Sequence, residues 1–182
     1  MSVTKTKPKI DIRYFGSIKD QNSTEAQAIK SIMIACDNDF VPPLSHREDA
    51  SKPLGVQKSP DDITPYWLEI IAQENIVAQN KKGDIVAFMS FKNKYQDAEK
   101  FSGVVKDGDT INYISTICVL HDYRRLGIAS RFYDWMEVKL PRTVRGECIS
   151  TRTWSTNNGH ILWQLFPVCL YPCLQYHQEL VW

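Results

Sequence analysis

The sequence predicts a single α/β domain in which helices flank a sheet. Its 182 residues are enough for one domain with its own core and too few for two of comfortable size. Hydrophobic periodicity gives the order strand, helix, helix, strand, strand, strand, loop, helix. The stretch 114–135 is central to this order, because a β-branched strand there leads through a basic, glycine-containing loop into a helix.

The first two elements follow from periodicity and capping. Apolar residues alternate with polar ones over residues 10–14, the pattern of a strand with one buried face. Residues 25–36 carry an apolar stripe at helical spacing, which predicts an amphipathic helix. Ser23 or Thr24 is expected to cap this helix, because a hydroxyl oxygen there accepts a hydrogen bond from a free helical N–H.

Prolines shape the next segment. Two successive prolines exclude regular helix or central strand at residues 40–44, and residues 45–60 are polar and rich in helix breakers. The second of these segments is expected to be a surface loop, with a lid over a pocket as the alternative. Asp61 or Thr64, together with Pro65, predicts the start of a second helix.

A β-hairpin precedes the central strand. Two apolar, β-rich runs, 76–78 and 85–91, flank a turn-rich segment. The polar residues 92–110 are expected to connect this hairpin to the central strand. The hairpin therefore predicts two antiparallel neighbours in the sheet.

The chain beyond the central loop predicts a helix and another strand. The helix should end near Leu140, because Pro141 disfavours helical geometry in the residue before it. Residues 148–154 form the next β-rich run. An asparagine-containing turn at 155–158 and an apolar helical segment from residue 161 are expected to follow.

The central loop has the features of an anion site. At a strand-to-helix turn the first helical N–H groups lack partners and face outward, beside the positive end of the helix dipole. Gly127 allows close approach of the backbone, and Arg124 and Arg125 add positive charge. A phosphate or pyrophosphate fits this chemistry. A helix cap that happens to be basic is the alternative.

The loop pattern Arg124-x-x-Gly127-x-Ala129, after a strand that ends in Val119, resembles the acyl-CoA-binding motif of the GNAT superfamily of N-acetyltransferases. The resemblance covers roughly residues 8–165. It implies an acyl-CoA N-acyltransferase-like fold: a mixed, mostly antiparallel twisted sheet flanked by helices, here with a shortened or divergent C-terminal end. The cofactor that it implies is acetyl-CoA (coenzyme A).

The resemblance also implies where the cofactor binds. The pantetheine arm would lie along the central strand like an added strand, with the N–H of Val119 or Cys118 facing the thioester oxygen. The turn amides would hold the pyrophosphate, and Asn157 would contact the pantetheine arm unless it only forms a turn or cap. The implied cofactor-binding residues are Ile117, Cys118, Val119, Arg124, Arg125, Leu126, Gly127, Ile128, Ala129, Ser130 and Asn157.

Catalytic groups are harder to assign. Relatives often carry a glutamate on the central strand that removes the amine proton, but residues 111–119 contain no acid. A water chain or a neutral amine would serve instead. His160 and His121 are candidates for a general base, and Tyr171 or Tyr176 for the acid that reprotonates the thiolate. A capping or exposed role is the alternative for both histidines.

The expected function is therefore acetyl-CoA-dependent transfer of an acetyl group to a primary amine of a small molecule, amino acid or peptide. The reaction would proceed by direct attack in a ternary complex. One alternative is an inactive acyl-CoA-binding, regulatory or interaction module of the same fold, which the missing acid favours. Another is a nucleotide-binding domain of a different fold, although the glycine-rich motifs of those folds are missing from the sequence.

Composition narrows the choice of partners. The net charge of +1 argues against a nucleic-acid binder. No apolar run reaches membrane-spanning length and no signal peptide is evident, so a cytoplasmic protein without membrane contact is expected. The five cysteines show no metal-site spacing, so no metal is expected. Cys118 is expected to be a small buried hydrophobe, with a nucleophilic role as the alternative.

The two ends of the chain are expected to differ from the centre. Residues 1–182 are predicted to form one domain, with residues 1–8 flexible and residues 166–182 a divergent tail. The tail is too apolar for free chain, because it includes Leu170, Leu174 and Trp182. It is therefore expected to pack on the sheet or on a second subunit, which would give a homodimer.

Overall fold

The computed structural model describes residues 9–40, 43–46, 63–95, 110–146 and 148–151. Short 3₁₀ turns lie at Asp37–Asp39, Leu44–His46 and His121–Tyr123. The strands and helices are, in chain order, β1 (Asp11–Gly16), α1 (Thr24–Ala35), α2 (Thr64–Ala72), β2 (Glu74–Gln79), β3 (Ile85–Tyr95), β4 (Ile111–Val119), α3 (Ile128–Val138) and β5 (Cys148–Thr151).

The strands form one five-stranded sheet with the order β1-β2-β3-β4-β5. Each pair among the first four strands is antiparallel, and successive strands along the chain are neighbours in space. β5 pairs with β4 in parallel, since α3 crosses over between them. The predicted mixed, mostly antiparallel sheet is confirmed.

Local chemistry explains where the helices begin. The Ser23 hydroxyl accepts a hydrogen bond from the Ala26 N–H at 3.2 Å, so Ser23 is the cap of α1. Pro65 lies in the first turn of α2, as predicted. Thr64 is the first helical residue and Ile63 the cap, without a side-chain hydrogen bond. α2 therefore depends on its buried face more than on its cap.

The core has two parts, one on each face of the sheet. On one face, α1 and α2 pack through Ile29, Met33 and Ile70 against Phe88 of β3. On the other, Phe132 and further apolar residues of α3 contact the sheet. α3 is thereby fixed on the face opposite α1 and α2, and the loop before it is held at the end of β4.

The main departure from expectation is the length of β3. Residues 92–95 continue this strand, although their polarity suggested a connection. Pairing with β4 outweighs side-chain polarity there, because a backbone ladder is satisfied by any residue except proline. β5 begins at Cys148 as predicted and is described to Thr151.

Several predictions fall outside the described residues. These are the flexible segment 1–8, most of the loop 45–60, the turn at 155–158, the helix from residue 161 and the tail 166–182. Asn157, His160 and Tyr171 lie in the same undescribed part. Among the helices that are described, none combines the length and the apolar character needed to cross a membrane.

A matched pair of substitutions in α1 tests the packing of this helix. Ile32 is 2% exposed and Ile34 is 58% exposed, two residues apart in the same helix. Ile32→Ala should lower the free energy of unfolding by about 2–5 kcal/mol through lost burial and a cavity. Ile34→Ala should change it by less than about 0.5 kcal/mol. Urea denaturation measures both, and equal effects would contradict the described orientation of α1.

Candidate functional site

The described pairing partners of β4 differ between its two halves. Residues 111–114 pair with β3 on one side and with β5 on the other. Residues 115–119 pair with β3 alone, within the part of the chain that the structure describes. Among the described residues, this second half of β4 therefore has one open edge, of the kind that accepts an added strand.

The backbone groups on the open edge belong to Ile117 and Val119. Leu120 donates its N–H to the Val86 carbonyl in β3 at 3.0 Å, so its backbone faces β3. Successive residues of a strand face opposite sides in the plane of the sheet, which directs Val119 and Ile117 away from β3. The Cys118 backbone faces β3. Of the two N–H groups proposed for the thioester oxygen, only that of Val119 therefore remains available.

The turn after β4 leaves the first N–H groups of α3 without helical partners. Arg125 and Gly127 have positive φ angles of 61° and 75°. Gly127 caps α3 without a side-chain hydrogen bond. The first helical bond runs from the Arg131 N–H to the Gly127 carbonyl at 3.1 Å. The N–H groups of residues 128–130 therefore have no helical partner. A Cβ on Gly127 would meet nothing within 4 Å, so the space beside this turn is open.

Arg124 anchors the loop through its side chain. Its Nε donates to the Val119 carbonyl at 2.9 Å, and its terminal nitrogens form an ion pair with the Asp39 carboxylate. The hydrogen bond between these side chains lowers the pKa of Asp39 and raises that of Arg124. Arg124 thus ties β4, the loop and the turn after α1 together. Its side chain supports the shape of the loop.

Arg125 of the loop and Arg131 of α3 have different roles. Arg131 donates to the Ile10 carbonyl at 2.9 Å and so joins α3 to the start of β1. Arg125 is exposed and has no hydrogen bond or ion pair with any described residue. It is therefore the arginine of this loop with an uncommitted charge near the open helix end.

The thiols of Cys36 and Cys118 lie in the core on the face of the sheet that α1 covers. Cys118 is buried on the face of the sheet that α1 covers, and burial raises the pKa of its thiol. Its hydrogen bond with Cys36, aided by Arg124, lowers the pKa of Cys36 to about 7. The Cys118 thiol is therefore protonated at neutral pH and packs as a small apolar group, which agrees with its expected role.

A group of polar side chains lies just beyond Ile114, the last residue of β4 that pairs with a described residue of β5. The register of β3 and β4 shifts between Ser90 and Phe91, so Ser115 is an extra residue, a β-bulge. Ser115 Oγ donates to Gln73 Oε1 at 2.6 Å. The Tyr66 hydroxyl lies 2.7 Å from Thr116 Oγ1. We call Tyr66, Gln73, Ser90, Ser115 and Thr116 the bulge cluster.

The structure brings together most of the predicted cofactor-binding residues. Ile117 and Val119 lie on the open edge, and residues 124–130 form the turn at its end. His121 is exposed on this turn, with Nε2 at 3.6 Å from Asp39 Oδ2. No group of side chains suited to a metal lies among the described residues.

Asp39 and the bulge cluster were not identified from the sequence. Asp39 lies far from Arg124 along the chain, and a bulge leaves no periodic signal in a β-branched run. An acidic residue four positions beyond α1, near the negative end of the helix dipole, was a weak hint. Gln73 had no comparable signal.

Comparison with known proteins identifies the family. The sequence model of the Acetyltransferase (GNAT) family matches residues 42–161, which is more than half of the chain. The chain therefore belongs to the GNAT acetyltransferase family. No curated protein sequence shows significant similarity to it.

Solved structures share this fold at low sequence identity. A protein of Clostridium difficile 630 described as a possible acetyltransferase is 14% identical, with a TM-score of 0.52 over 94% of this chain and 98% of that chain. Aminoglycoside N-acetyltransferase AAC(6')-Iy in complex with CoA is 15% identical, with a TM-score of 0.52 over 89% of each chain. The same enzyme with a bisubstrate analogue, CoA-S-monomethyl-acetylneamine, is 16% identical, with a TM-score of 0.51 over 86% of this chain and 88% of that chain.

The Asp39–Arg124 ion pair makes stability depend on acid pH. Because the folded-state pKa of Asp39 lies below 3.8, the pair contributes fully above that pH and is lost as the pH falls through the lowered pKa. Asp39→Asn should therefore lower the free energy of unfolding near pH 7, by about 0.2–1 kcal/mol for a partly exposed pair.

Urea denaturation over a range of pH measures this difference, with Asp134→Asn as the control. Asp134 is exposed on α3 and forms no ion pair with a described residue. Its substitution should give no pH-dependent difference from the parent. A difference for Asp39→Asn that persists below its lowered pKa would contradict the ion-pair account.

Proposed function

We propose that this chain is an acetyl-CoA-dependent N-acetyltransferase that acts on a primary amine of a small molecule, amino acid or peptide. The observation that carries the proposal is the half of β4 that is open among the described residues, together with the start of α3 after the turn at 120–127, which has no side-chain cap. An edge with free amide groups suits the two amides of a pantetheine arm, and a free helix end suits a pyrophosphate. Membership of the acetyltransferase family supports the same cofactor.

The dimensions of the open edge suit this cofactor. Residues 115–119 span about 13 Å at the rise of an antiparallel strand. A pantetheine arm has about 13 bonds between phosphorus and sulphur, and an extended chain of that length covers about 15 Å. With the pyrophosphate at the turn before α3, the thioester would lie near the bulge at Ser115. The Ile117 and Val119 backbone groups would pair with the arm along the way.

The turn supplies the groups for the phosphates. The N–H groups of residues 128–130 have no helical partner, and Arg125 has no partner among the described residues. Arg124 would act indirectly, because its side chain already holds Asp39 and the Val119 carbonyl. Asn157 remains a predicted contact of the pantetheine arm outside the described residues.

Acetyl transfer from a thioester places few demands on the protein. The thioester is already activated, so the site must position it, receive a neutral amine and stabilise the oxyanion that forms during attack. The N–H of Ile117 would be the strand donor for that oxyanion, because the N–H of Val119 would lie nearer the phosphates than the thioester. The bulge cluster has no carboxylate, so the amine would lose its proton to solvent or through ordered water before attack. His160 and Tyr171 remain proposed proton carriers.

Calorimetric titration with acetyl-CoA and with CoA tests the cofactor proposal. Gly127→Asp places a carboxylate against the phosphates and should weaken binding of both by at least about tenfold, or 1.4 kcal/mol. Gly83→Asp is the matched control, because Gly83 also has a positive φ, of 88°, and open space around its Cβ position. Both variants bear the same backbone strain, so only the charge near the proposed phosphate site differs.

Two results would contradict the cofactor proposal. One is parent protein that binds neither acetyl-CoA nor CoA. The other is equal loss of affinity in both glycine variants, with both shown to be folded by circular dichroism. Binding without acetylation of any amine would instead favour the inactive acyl-CoA-binding module.

A further inference from the structure

The bulge cluster is a polar area within an otherwise apolar interface. The face of the sheet under α1 and α2 is built from residues such as Val77 and Phe88, which are fully buried. The cluster interrupts this face where β4 leaves β5. Buried polar groups weaken a core unless each has a partner, so a cluster of this kind requires an explanation.

The bulge itself places two polar side chains on one face. Ile114 and Ile117 belong to the core under α3, on the opposite face of the sheet. Because Ser115 is the extra residue, both Ser115 and Thr116 direct their hydroxyls towards α2. In a regular strand, one of these two side chains would lie on the other face of the sheet. The register shift therefore concentrates polar groups beside the end of the proposed pantetheine path.

Gln73 is the member of the cluster with an unused polar group. Its Oε1 accepts hydrogen bonds from Ser115 Oγ at 2.6 Å and from Ser90 Oγ at 3.4 Å. The shorter distance is typical of an O–H···O bond, which places the oxygen towards Ser115 and the amide nitrogen away from it. Nε2 is buried and has no hydrogen-bond partner among the described residues. Two amide hydrogens thus remain without an acceptor.

The other buried atoms without partners do not lie at this position. Asn75 also has an unpartnered Oδ1, but its Nδ2 donates to carbonyls of the α2–β2 turn, including that of Gln73 at 2.7 Å. Its role is to close that turn. Gln73 instead contacts Ser115, the first residue of the open half of β4. Its free donor is therefore next to the proposed thioester position.

We propose that Gln73 is a specificity-determining residue that donates a hydrogen bond from Nε2 to an oxygen of the acceptor substrate. The inference rests on the proposed acetyl transfer and narrows its acceptor to primary amines with a hydroxyl, carbonyl or carboxylate oxygen close to the amine nitrogen. An amide N–H donor fits such an oxygen and has no acceptor in an alkylamine. A site with a dedicated donor discriminates strongly against the analogue that lacks the oxygen.

The role of Gln73 is positioning by hydrogen bonding. A carboxamide does not titrate, so Gln73 takes no proton from the amine and should leave the pH profile of the reaction unchanged. Ser115 and Ser90 hold the carboxamide through its oxygen. In the proposed complex this orientation would leave Nε2 for the acceptor. The amine itself attacks the thioester carbon, and CoA leaves as the thiolate.

Steady-state kinetics with matched amines test this role. The probes are ethanolamine against propylamine, glycinamide against butylamine, and 6-amino-6-deoxyglucose against cyclohexylmethylamine. The parent should favour the oxygen-bearing member of at least one pair by about tenfold or more in kcat/KM, expressed per neutral amine because the paired amines differ in basicity. Gln73→Leu should bring that ratio close to one by lowering the rate for the oxygen-bearing amine alone. Acetyl-CoA affinity and the pH profile should not change.

Gln79→Leu is the matched control, because the Gln79 amide already donates to the Gly83 carbonyl at 3.1 Å in the β2–β3 turn. It should keep the parental ratio. Ser115→Ala removes the hydrogen bond that orients the carboxamide and should reduce the ratio in part. This second variant keeps the test informative if Gln73→Leu folds poorly.

The outcomes separate this inference from the proposed function. Acetylation by the parent with no preference in any pair, or with a preference that survives in Gln73→Leu, would overturn the role of Gln73 alone. A parent that binds acetyl-CoA but acetylates none of the amines would overturn the transfer reaction and this inference with it. A parent that does not bind acetyl-CoA would overturn the cofactor proposal as well.

Discussion

The site depends on the way β4 is paired. Its first half is held on both sides, by β3 and β5, and its second half on one side only among the described residues. A strand that was paired on both sides along its full length would have no free amide groups for a ligand. Partial pairing gives both rigidity and an open edge. The bulge at Ser115 marks the boundary between the two halves.

Contacts that are distant in sequence hold the loop at the end of this edge. Arg124 bonds the carbonyl of Val119 and the carboxylate of Asp39, and Arg131 bonds the carbonyl of Ile10. The ion pair with Asp39 engages one of the two positive charges, those of Arg124 and Arg125, that the sequence suggested for a phosphate. What these bonds preserve is a fixed turn with unpaired N–H groups at the start of α3. In this chain, Arg124 of the motif therefore contributes more to the shape of the proposed anion site than to its positive charge.

Sequence patterns located the elements because they are local. β-branched residues predicted β4, and helical apolar spacing predicted α1 and α3. Patterns could not locate the Asp39–Arg124 pair or the contact of Gln73 with Ser115, because both join residues far apart in the chain. They also missed the last residues of β3, where pairing with β4 outweighs polarity. The register that turns the Cys118 N–H towards β3 could not be read from periodicity alone either.

The central claim is that the open edge of β4 and the turn before α3 bind one cofactor. Amide hydrogen exchange followed by NMR, with and without acetyl-CoA, tests this claim most directly. Binding should slow exchange at Ile117 and Val119 and at the amides of residues 128–130, and should leave β1 unchanged. Tight binding of acetyl-CoA without protection at Ile117 and Val119 would contradict the proposed path of the pantetheine arm.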